Sequence, residues 1–461
     1  MYNTRRQIDN YLNEIRKRPY SHRLESYPVL PRSLQINKQY NMRSNPRRHT
    51  LNAYENYNFQ QAYANDDLHY MYDPNDLPDI GDNDIESAKL GEGSFGCVMR
   101  GPFVLSTEES NNRFYRPVEK RSNEVFKLLI SPKAFLKEIK NTIVANKIDN
   151  GVSSIIIEGY SILNKNDINN IMNSQENNIR RIKNKIRKCK AIENYIKKDI
   201  PNIYQIMYSH VGVSLLNLHN HRLYGQFDIY KVLGLCLNLV KGVSKYLKHS
   251  FVHFDIKSDN IIYIPMKEHI SDRLVFIDFG ISGFIKEIDI KIFDYLKDIY
   301  ILPEIVAYKS INKYSHISNY EDVFSYFISD YEKNLNNFYG RFKDLVLLYL
   351  YNNNISEYRA ELRQVFNKAK SLNSRTDEEA MIRKSLIYYD AYKLCFTIME
   401  VIEQYNFRRS IHSNIINDFY RTVLMHVAFI NPNRRVHIDI VLKRYGEFMK
   451  MLGHTNIRHS I

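Results

Sequence analysis

The chain has 461 residues, of which 44% are hydrophobic and 25% charged, enough apolar content for a sizeable core and too much for a disordered protein. Its formal net charge of +14 predicts attraction to acidic partners, whether acidic protein, nucleic acid or an anionic membrane surface. The four cysteines, at positions 97, 189, 236 and 395, form no CxxC pair, which excludes a zinc site of ordinary spacing and predicts a reduced, intracellular chain.

The first 84 residues read as an extension. Residues 1–50 carry eleven Lys or Arg against three acids, whereas 51–85 carry eight acids and no Lys or Arg. Such charge blocks predict an extended or partly ordered tail. Within it Ile8, Tyr11, Leu12 and Ile15 recur at helical spacing and predict a short amphipathic helix over 5–18. The N-terminus has basic residues but no apolar core, and Asp9 and Glu14 speak against a transit peptide. The longest apolar runs, such as 345–350, are far shorter than the ~18 residues a transmembrane helix needs, so no such helix is expected.

Chemistry begins at Gly91-Glu92-Gly93-Ser94-Phe95-Gly96-Cys97-Val98. Glycines at 91, 93 and 96 allow a hairpin to approach phosphates closely where side chains would clash. A dinucleotide site would open a helix at the third glycine; here Val98 continues a strand. The next strand-like run, Asn123 to Leu129, holds a single Lys127, a costly place for a charge unless an acid or phosphate meets it. Glu138, in the amphipathic stretch from Phe135 to Ile139, is the expected partner.

Further on, His253-Phe254-Asp255-Ile256-Lys257-Ser258-Asp259-Asn260 sets Asp, Lys and Asn at D-x-K-x-x-N spacing between apolar strands. Eighteen residues beyond Asn260, Asp278-Phe279-Gly280 ends an apolar strand on a lone carboxylate. Phosphoryl transfer needs a metal ion bridging the phosphates, a carboxylate to receive the hydroxyl proton, and cations on the transferred group. Asp278 with Asn260 would hold the metal, Asp255 would take the proton, and Lys127 with Lys257 would supply the charge.

This ordered set resembles the eukaryotic protein kinase superfamily from about residue 85 to 445, and the likeness continues in Leu302-Pro303-Glu304, Asp322-Val323-Phe324-Ser325 and Asn431-Pro432-Asn433-Arg434-Arg435. The resemblance implies an α+β, bilobal fold, with a small antiparallel-sheet N-lobe over 85–211 and a mainly helical C-lobe over 212–461. It implies ATP and Mg2+ as cofactors and transfer of the γ-phosphate to serine or threonine hydroxyls of protein substrates, Lys257 being similar to the serine/threonine branch. By the same match Gly91, Gly93, Ser94, Phe95, Gly96 and Val98 cover the nucleotide, and Met207 and Ser209 contact adenine. Glu304 would pair with Arg435, and Asp322 would tether the catalytic-loop backbone.

The chain departs from the family at Phe254, where an Arg is usual, and in long segments near 101–122, 164–200 and 330–385. The segment 180–190 is strongly basic, with Ile179, Ile182 and Ile186 at helical spacing, and reads as either a solvated helix face or a docking surface. In divergence and composition the chain resembles kinases of large double-stranded DNA viruses of the iridovirus type, which implies a host-cytoplasmic or virion-associated protein. Two rival functions share part of the pattern: a small-molecule kinase of the aminoglycoside or choline type, and a pseudokinase scaffold.

Overall fold

A computed structural model describes residues 89–93, 96–100, 125–164, 202–208, 212–216, 228–265, 272–295, 300–336, 342–372, 374–404 and 413–459, with single positions such as 189, 192, 193 and 218. The extension, its expected helix at 5–18, Ser94, Phe95, Ser209 and the basic stretch of 180–190 other than Cys189 lie outside the described residues.

The fold is mixed α+β. Strands β1 (Lys89–Gly93), β2 (Gly96–Arg100), β3 (Val125–Leu129), β4 (Ile157–Asn164) and β5 (Asn202–Tyr208) form one antiparallel sheet in the order β1-β2-β3-β5-β4. The β1–β2 hairpin turns between Gly93 and Gly96, which face each other across the ladder. β3 reads VFKLL, with Val125, Phe126, Leu128 and Leu129 buried and Lys127 half-buried. Branched and aromatic side chains suit such a strand, and its one polar residue is the one left a path outward.

Between β3 and β4 runs helix α1 (Pro132–Asp149), with Pro132 in its first turn and Ser131 accepting from the Ala134 amide at 3.3 Å. Both are start signals of a helix N-terminus. Asn150 ends it in the left-handed region at φ 58°. The buried Asp149 then gathers the exit loop, accepting from the Gly151 and Ser153 amides, the Ser153 and Ser154 hydroxyls, and Tyr246.

The rest is chiefly helical around two small sheets, β6 (Val213–Ser214) with β8 (Ile261–Ile264) and β9 (Arg273–Phe276), and β7 (Phe251–Val252) with β10 (Gly283–Phe284). Its helices, in order, are α2 (Ile229–Lys248), α3 (Ile292–Tyr295), α4 (Pro303–Lys313), α5 (Tyr320–Asn336), α6 (Phe342–Tyr351), α7 (Ile355–Lys370), α8 (Arg375–Gln404), α9 (Ser413–Phe419) and α10 (Ile438–His459). From Tyr389 to Ile402 every residue of α8 is buried, the mark of a helix surrounded by protein. α2 approaches the α1 exit loop so closely at Gly242 that a Cβ there would stand 2.7 Å from Ser153 Cβ. Ser153 and Ile155 in turn exchange backbone hydrogen bonds with Phe276 of β9, which joins the α1 exit loop to the strand that leads into Asp278.

Two readings of the sequence are corrected here. Cys97 and Cys189 are joined in a disulfide, while Cys236 and Cys395 are free, so the cysteines are not all reduced; two residues 92 positions apart give no spacing signal for pairing. Asp322 does not tether the catalytic loop: it is exposed at the start of α5. That task falls to Asp390 of α8, whose carboxylate accepts from the His253 amide at 2.6 Å and the Phe254 amide at 2.9 Å.

Candidate active site

Three elements converge on Lys127. Its Nζ lies 2.9 Å from Glu138 of α1 and 2.9 Å from Asp278, which follows β9. The pairing of Lys127 with Glu138, expected from sequence despite their separation of only 11 residues, is therefore present. Glu138 is itself buried and also accepts from the Tyr208 hydroxyl at 3.1 Å and from the Phe279 amide at 3.2 Å. One carboxylate thus fixes α1, β3, β5 and the Asp-Phe-Gly turn to one another.

The charges follow from that geometry. Burial works against the Lys127 ammonium, but Asp278 and Glu138 outweigh it and raise its pKa. Burial pushes Glu138 up, with Lys127 pulling the other way. Burial raises Asp278, and Lys127 together with His253 and Lys257 outweighs it, holding its carboxyl at about 2. Its side chain keeps 45% of its surface exposed while paired with Lys127. Asp278 adopts φ 63°, a left-handed backbone uncommon outside glycine and typical of functional turns.

The turn is held from beneath by a residue the motif reading missed. Asn141, one helical turn after Glu138, donates to the Phe279 carbonyl at 2.9 Å and to the Ser282 carbonyl at 2.6 Å. In sequence it stands between Lys140 and Thr142, where nothing marks it; the available signal was its place three residues after Glu138, on the same helix face.

The residues expected to form a catalytic loop gather between β7 and β8. Lys257 Nζ lies 3.1 and 2.9 Å from the two Asp255 carboxylate oxygens. Asn260 Nδ2 donates to the Asp255 carbonyl at 2.9 Å and to its carboxylate at 2.7 Å. With its nitrogen so committed, Asn260 offers Oδ1 as an acceptor, and the Ile277 amide donates to the Asn260 carbonyl at 3.0 Å, joining the loop to the segment that ends in Asp278. An amide oxygen and an ionised carboxylate are hard donors that suit Mg2+, which takes one or two protein oxygens and completes its shell with phosphate and water. Among the described residues there is no cluster of three or more His, Cys, Asp or Glu that could hold a metal.

His253 orders the loop while neutral. Its Nε2 lies 3.0 Å from the Ile277 carbonyl and its Nδ1 accepts from the Asp255 amide at 3.3 Å; together these define the Nε2–H tautomer. Burial lowers its pKa to about 4, against a smaller raising effect of the Ile277 carbonyl. Because the folded value lies below that of a free imidazole at about 6.5, the unfolded chain binds the extra proton between the two. Stability from this residue is complete above about pH 6.5 and is lost as pH falls toward about 4. Imidazole NMR shifts of His253 at about pH 5.5 are expected to be those of a neutral ring; a midpoint near 6.5 would contradict the buried tautomer.

Phe254, in place of the family's usual Arg, is fully buried at φ 76°. Its ring stacks on Tyr389 of α8 at 4.8 Å and meets Phe293 at 5.2 Å. Ser282 is buried and donates to the His253 carbonyl at 2.7 Å, and Tyr300 is buried as well. The segment after Asp278 is thus bound to the loop by rings and hydrogen bonds.

Glu304 and Arg435 meet in a buried two-pronged pair at 2.6 and 2.8 Å. Met207 lies in β5, where it pairs with Phe126 of β3, and the next residue, Tyr208, reaches Glu138. Gly91, Gly93 and Gly96 lie in the hairpin as expected, and Val98 pairs with Lys127 across β2 and β3.

Compared with models of known protein families, the chain matches none, and no curated protein matches it. Among the described residues no helix is long and apolar enough to cross a membrane.

Proposed function

We propose that this chain is an ATP-dependent phosphotransferase of the protein-kinase type, bilobal in arrangement, that phosphorylates serine or threonine hydroxyls of proteins. The observation that carries the reading is the convergence on one site of Lys127, Glu138 and Asp278 with the Asp255–Lys257–Asn260 group. These residues are separated by up to 151 positions in sequence, and a structural role alone does not ask for so many charges in one place.

In this reading Lys127 binds the non-transferred phosphates of ATP and is oriented by Glu138. Asp278 and Asn260 Oδ1 hold Mg2+, which when bound neutralises phosphate charge. Asp255 orients the acceptor hydroxyl and receives its proton, and Lys257 moves from Asp255 toward the transferred group as negative charge grows there. The glycine hairpin excludes water from the phosphates. Gly91, Gly93, Ser94, Phe95, Gly96 and Val98 are its proposed covering residues, and Met207 and Ser209 the proposed adenine contacts.

The test is incubation with γ-labelled ATP and Mg2+ against casein, histone and a panel of hydroxylated metabolites. Label on serine or threonine of protein is the expected result. Label on a metabolite alone would favour the small-molecule reading, and none at all would favour a scaffold.

Activity is further expected without phosphorylation of the segment between Asp278 and Glu304. Phe254 cannot pair with a phosphate as arginine does, and Ser282 and Tyr300 are buried. Phosphatase-treated enzyme, shown by mass spectrometry to be unmodified at Ser282, Tyr295 and Tyr300, should keep at least about a tenth of its initial rate, a loss under roughly 1.4 kcal/mol. A lag removed by prior phosphorylation of that segment would contradict this.

A further inference from the structure

Helix α8 carries a stripe of polar residues through its buried length. Asp390, Lys393, Thr397 and Glu400 are all buried, and their spacing of three, four and three residues puts them on one helix face. At the first end Asp390 accepts from the His253 and Phe254 amides, and the Lys393 charge bears on His253. At the other end Glu400 lies against Ser258. Ten helical residues rise about 15 Å, and five residues of extended chain reach at most ~17 Å. The loop from His253 to Ser258 thus runs alongside the stripe, with one acid at each end.

The two acids are not equivalent. Asp390 is matched by amide donors, whereas neither carboxylate oxygen of Glu400 has a hydrogen-bond partner, and both are shielded from solvent. The Ser258 and Tyr300 hydroxyls lie beside it, out of line for a full hydrogen bond. An ionised carboxylate so placed is costly; a proton removes the charge and turns one oxygen into a donor that either hydroxyl can accept. Burial raises the Glu400 pKa to about 7, the Ser258 hydroxyl lowering it in part, Asp259 adding to the rise and Tyr300 opposing it.

Of the elements packed against α8, the turn of 258–260 brings Ser258 and Asp259 to Glu400, and Tyr300 comes from the segment before α4. α4 itself carries Glu304, paired with Arg435, α2 carries the buried Cys236 and Tyr246, and the turn of 425–427 carries His426. β7 has no titratable side chain. The turn of 285–287, with the exposed Lys286 and Glu287, meets the other end of α8, where Arg383 donates to the Ile285 carbonyl. Along α8, Lys393 and Glu403 stand on either side, and Glu403 accepts from Tyr420.

We propose that Glu400 is a positioning residue of the phosphotransfer site, which in its protonated form holds Ser258 and through it Asp255 in working geometry, so that transfer slows when the carboxyl loses its proton. This rests on the kinase reading of the site. Ser258 is buried and opens the turn that ends in Asn260, and Lys257 stands just before it. Lys257 and Asn260 both hold the Asp255 carboxylate, so a shift of Ser258 reaches Asp255 through two neighbours. On ionisation the proton passes to solvent and leaves a second negative charge beside Asp259 beneath the loop. Repulsion and the demand for hydration then draw the turn off α8. Because the folded value lies above the ordinary 4.5, the folded chain binds the extra proton between the two. The stability this residue contributes is full below about pH 4.5 and is lost as pH rises through about 7.

The test follows kcat for transfer from ATP to casein across pH, using the full chain and Glu400→Gln, which keeps the shape of the side chain but cannot ionise. Parent kcat is expected to fall at least about threefold between about pH 6 and about pH 8.5, the limb that one ionising group sets. The Glu400→Gln profile should be flat there, whatever its absolute rate. Ser258→Ala, which removes the hydroxyl through which Glu400 acts, should flatten it as well. Difference infrared spectra of the parent should lose one protonated-carboxyl band with a midpoint of about 7, a band that Glu400→Gln lacks. Superimposable kcat profiles, even with stability that differs across pH by urea unfolding, would make Glu400 merely structural and overturn the positioning role while leaving the kinase reading intact. A band midpoint near 4.5 would do the same. Absence of transfer at every pH would overturn the kinase reading and the positioning role with it.

Discussion

Asp255→Asn should slow phosphate transfer by about 10²–10⁴-fold, the span a positioned general base supplies, with the melting temperature close to that of the parent. The amide still accepts hydrogen bonds from Lys257 and Asn260 but no longer takes a proton. Asp278→Asn should lose transfer comparably through the metal, and its demand for Mg2+ should rise. Lys127→Met differs in one respect. Because Glu138 is buried, removing the ammonium leaves an uncompensated carboxylate, which costs roughly 3–5 kcal/mol. This variant should therefore be both inactive and less stable, a distinction that parallel rate and urea-unfolding measurements resolve. Parent-like turnover in all three would overturn the site.

Arg435→Ala should destabilise the fold by roughly 3–5 kcal/mol, the cost of breaking a buried ion pair. The Arg435 side chain is fully buried and that of Glu304 is 5% exposed. Arg435 also donates to the Phe429 and Ile430 carbonyls at 2.6 and 2.8 Å, so its loss strands a carboxylate and two backbone acceptors. Glu304→Ala should cost a similar amount, and the double variant less than the sum of the two, since neither charge is then left alone. Urea unfolding of the four proteins checks this; additive losses, or single losses under about 1 kcal/mol, would mean the pair is not the buried clamp the geometry describes.

The residues proposed to touch reacting groups were legible because the proposed chemistry restricts them to short, ordered patterns. A lone Lys127 in β3, a carboxylate before Phe279-Gly280, and Asp255-x-Lys257-x-x-Asn260 are costly unless used, and Glu138 followed from the need to pair Lys127. Supporting residues were less visible. Asp322 sits in a tetrapeptide of the right form yet is exposed, whereas five helices, α3 to α7, separate Asp390 from the loop it holds, and position along the chain no longer guides assignment. The usable signal was physical: Asp390, Lys393 and Glu400 are the charges in an otherwise apolar stretch of α8, and a buried acid there must meet donors. The disulfide and the Asp149 loop depend on tertiary proximity, and nothing in the spacing of Cys97 and Cys189 encodes it.

The most direct measurement is transfer of label from γ-labelled ATP to casein or histone by the purified chain, with Mg2+ and with chelator, beside Asp278→Asn. The account expects phosphoserine or phosphothreonine to accumulate only with Mg2+ and the parent sequence. Equal label with Asp278→Asn, or label that persists in chelator, would contradict it.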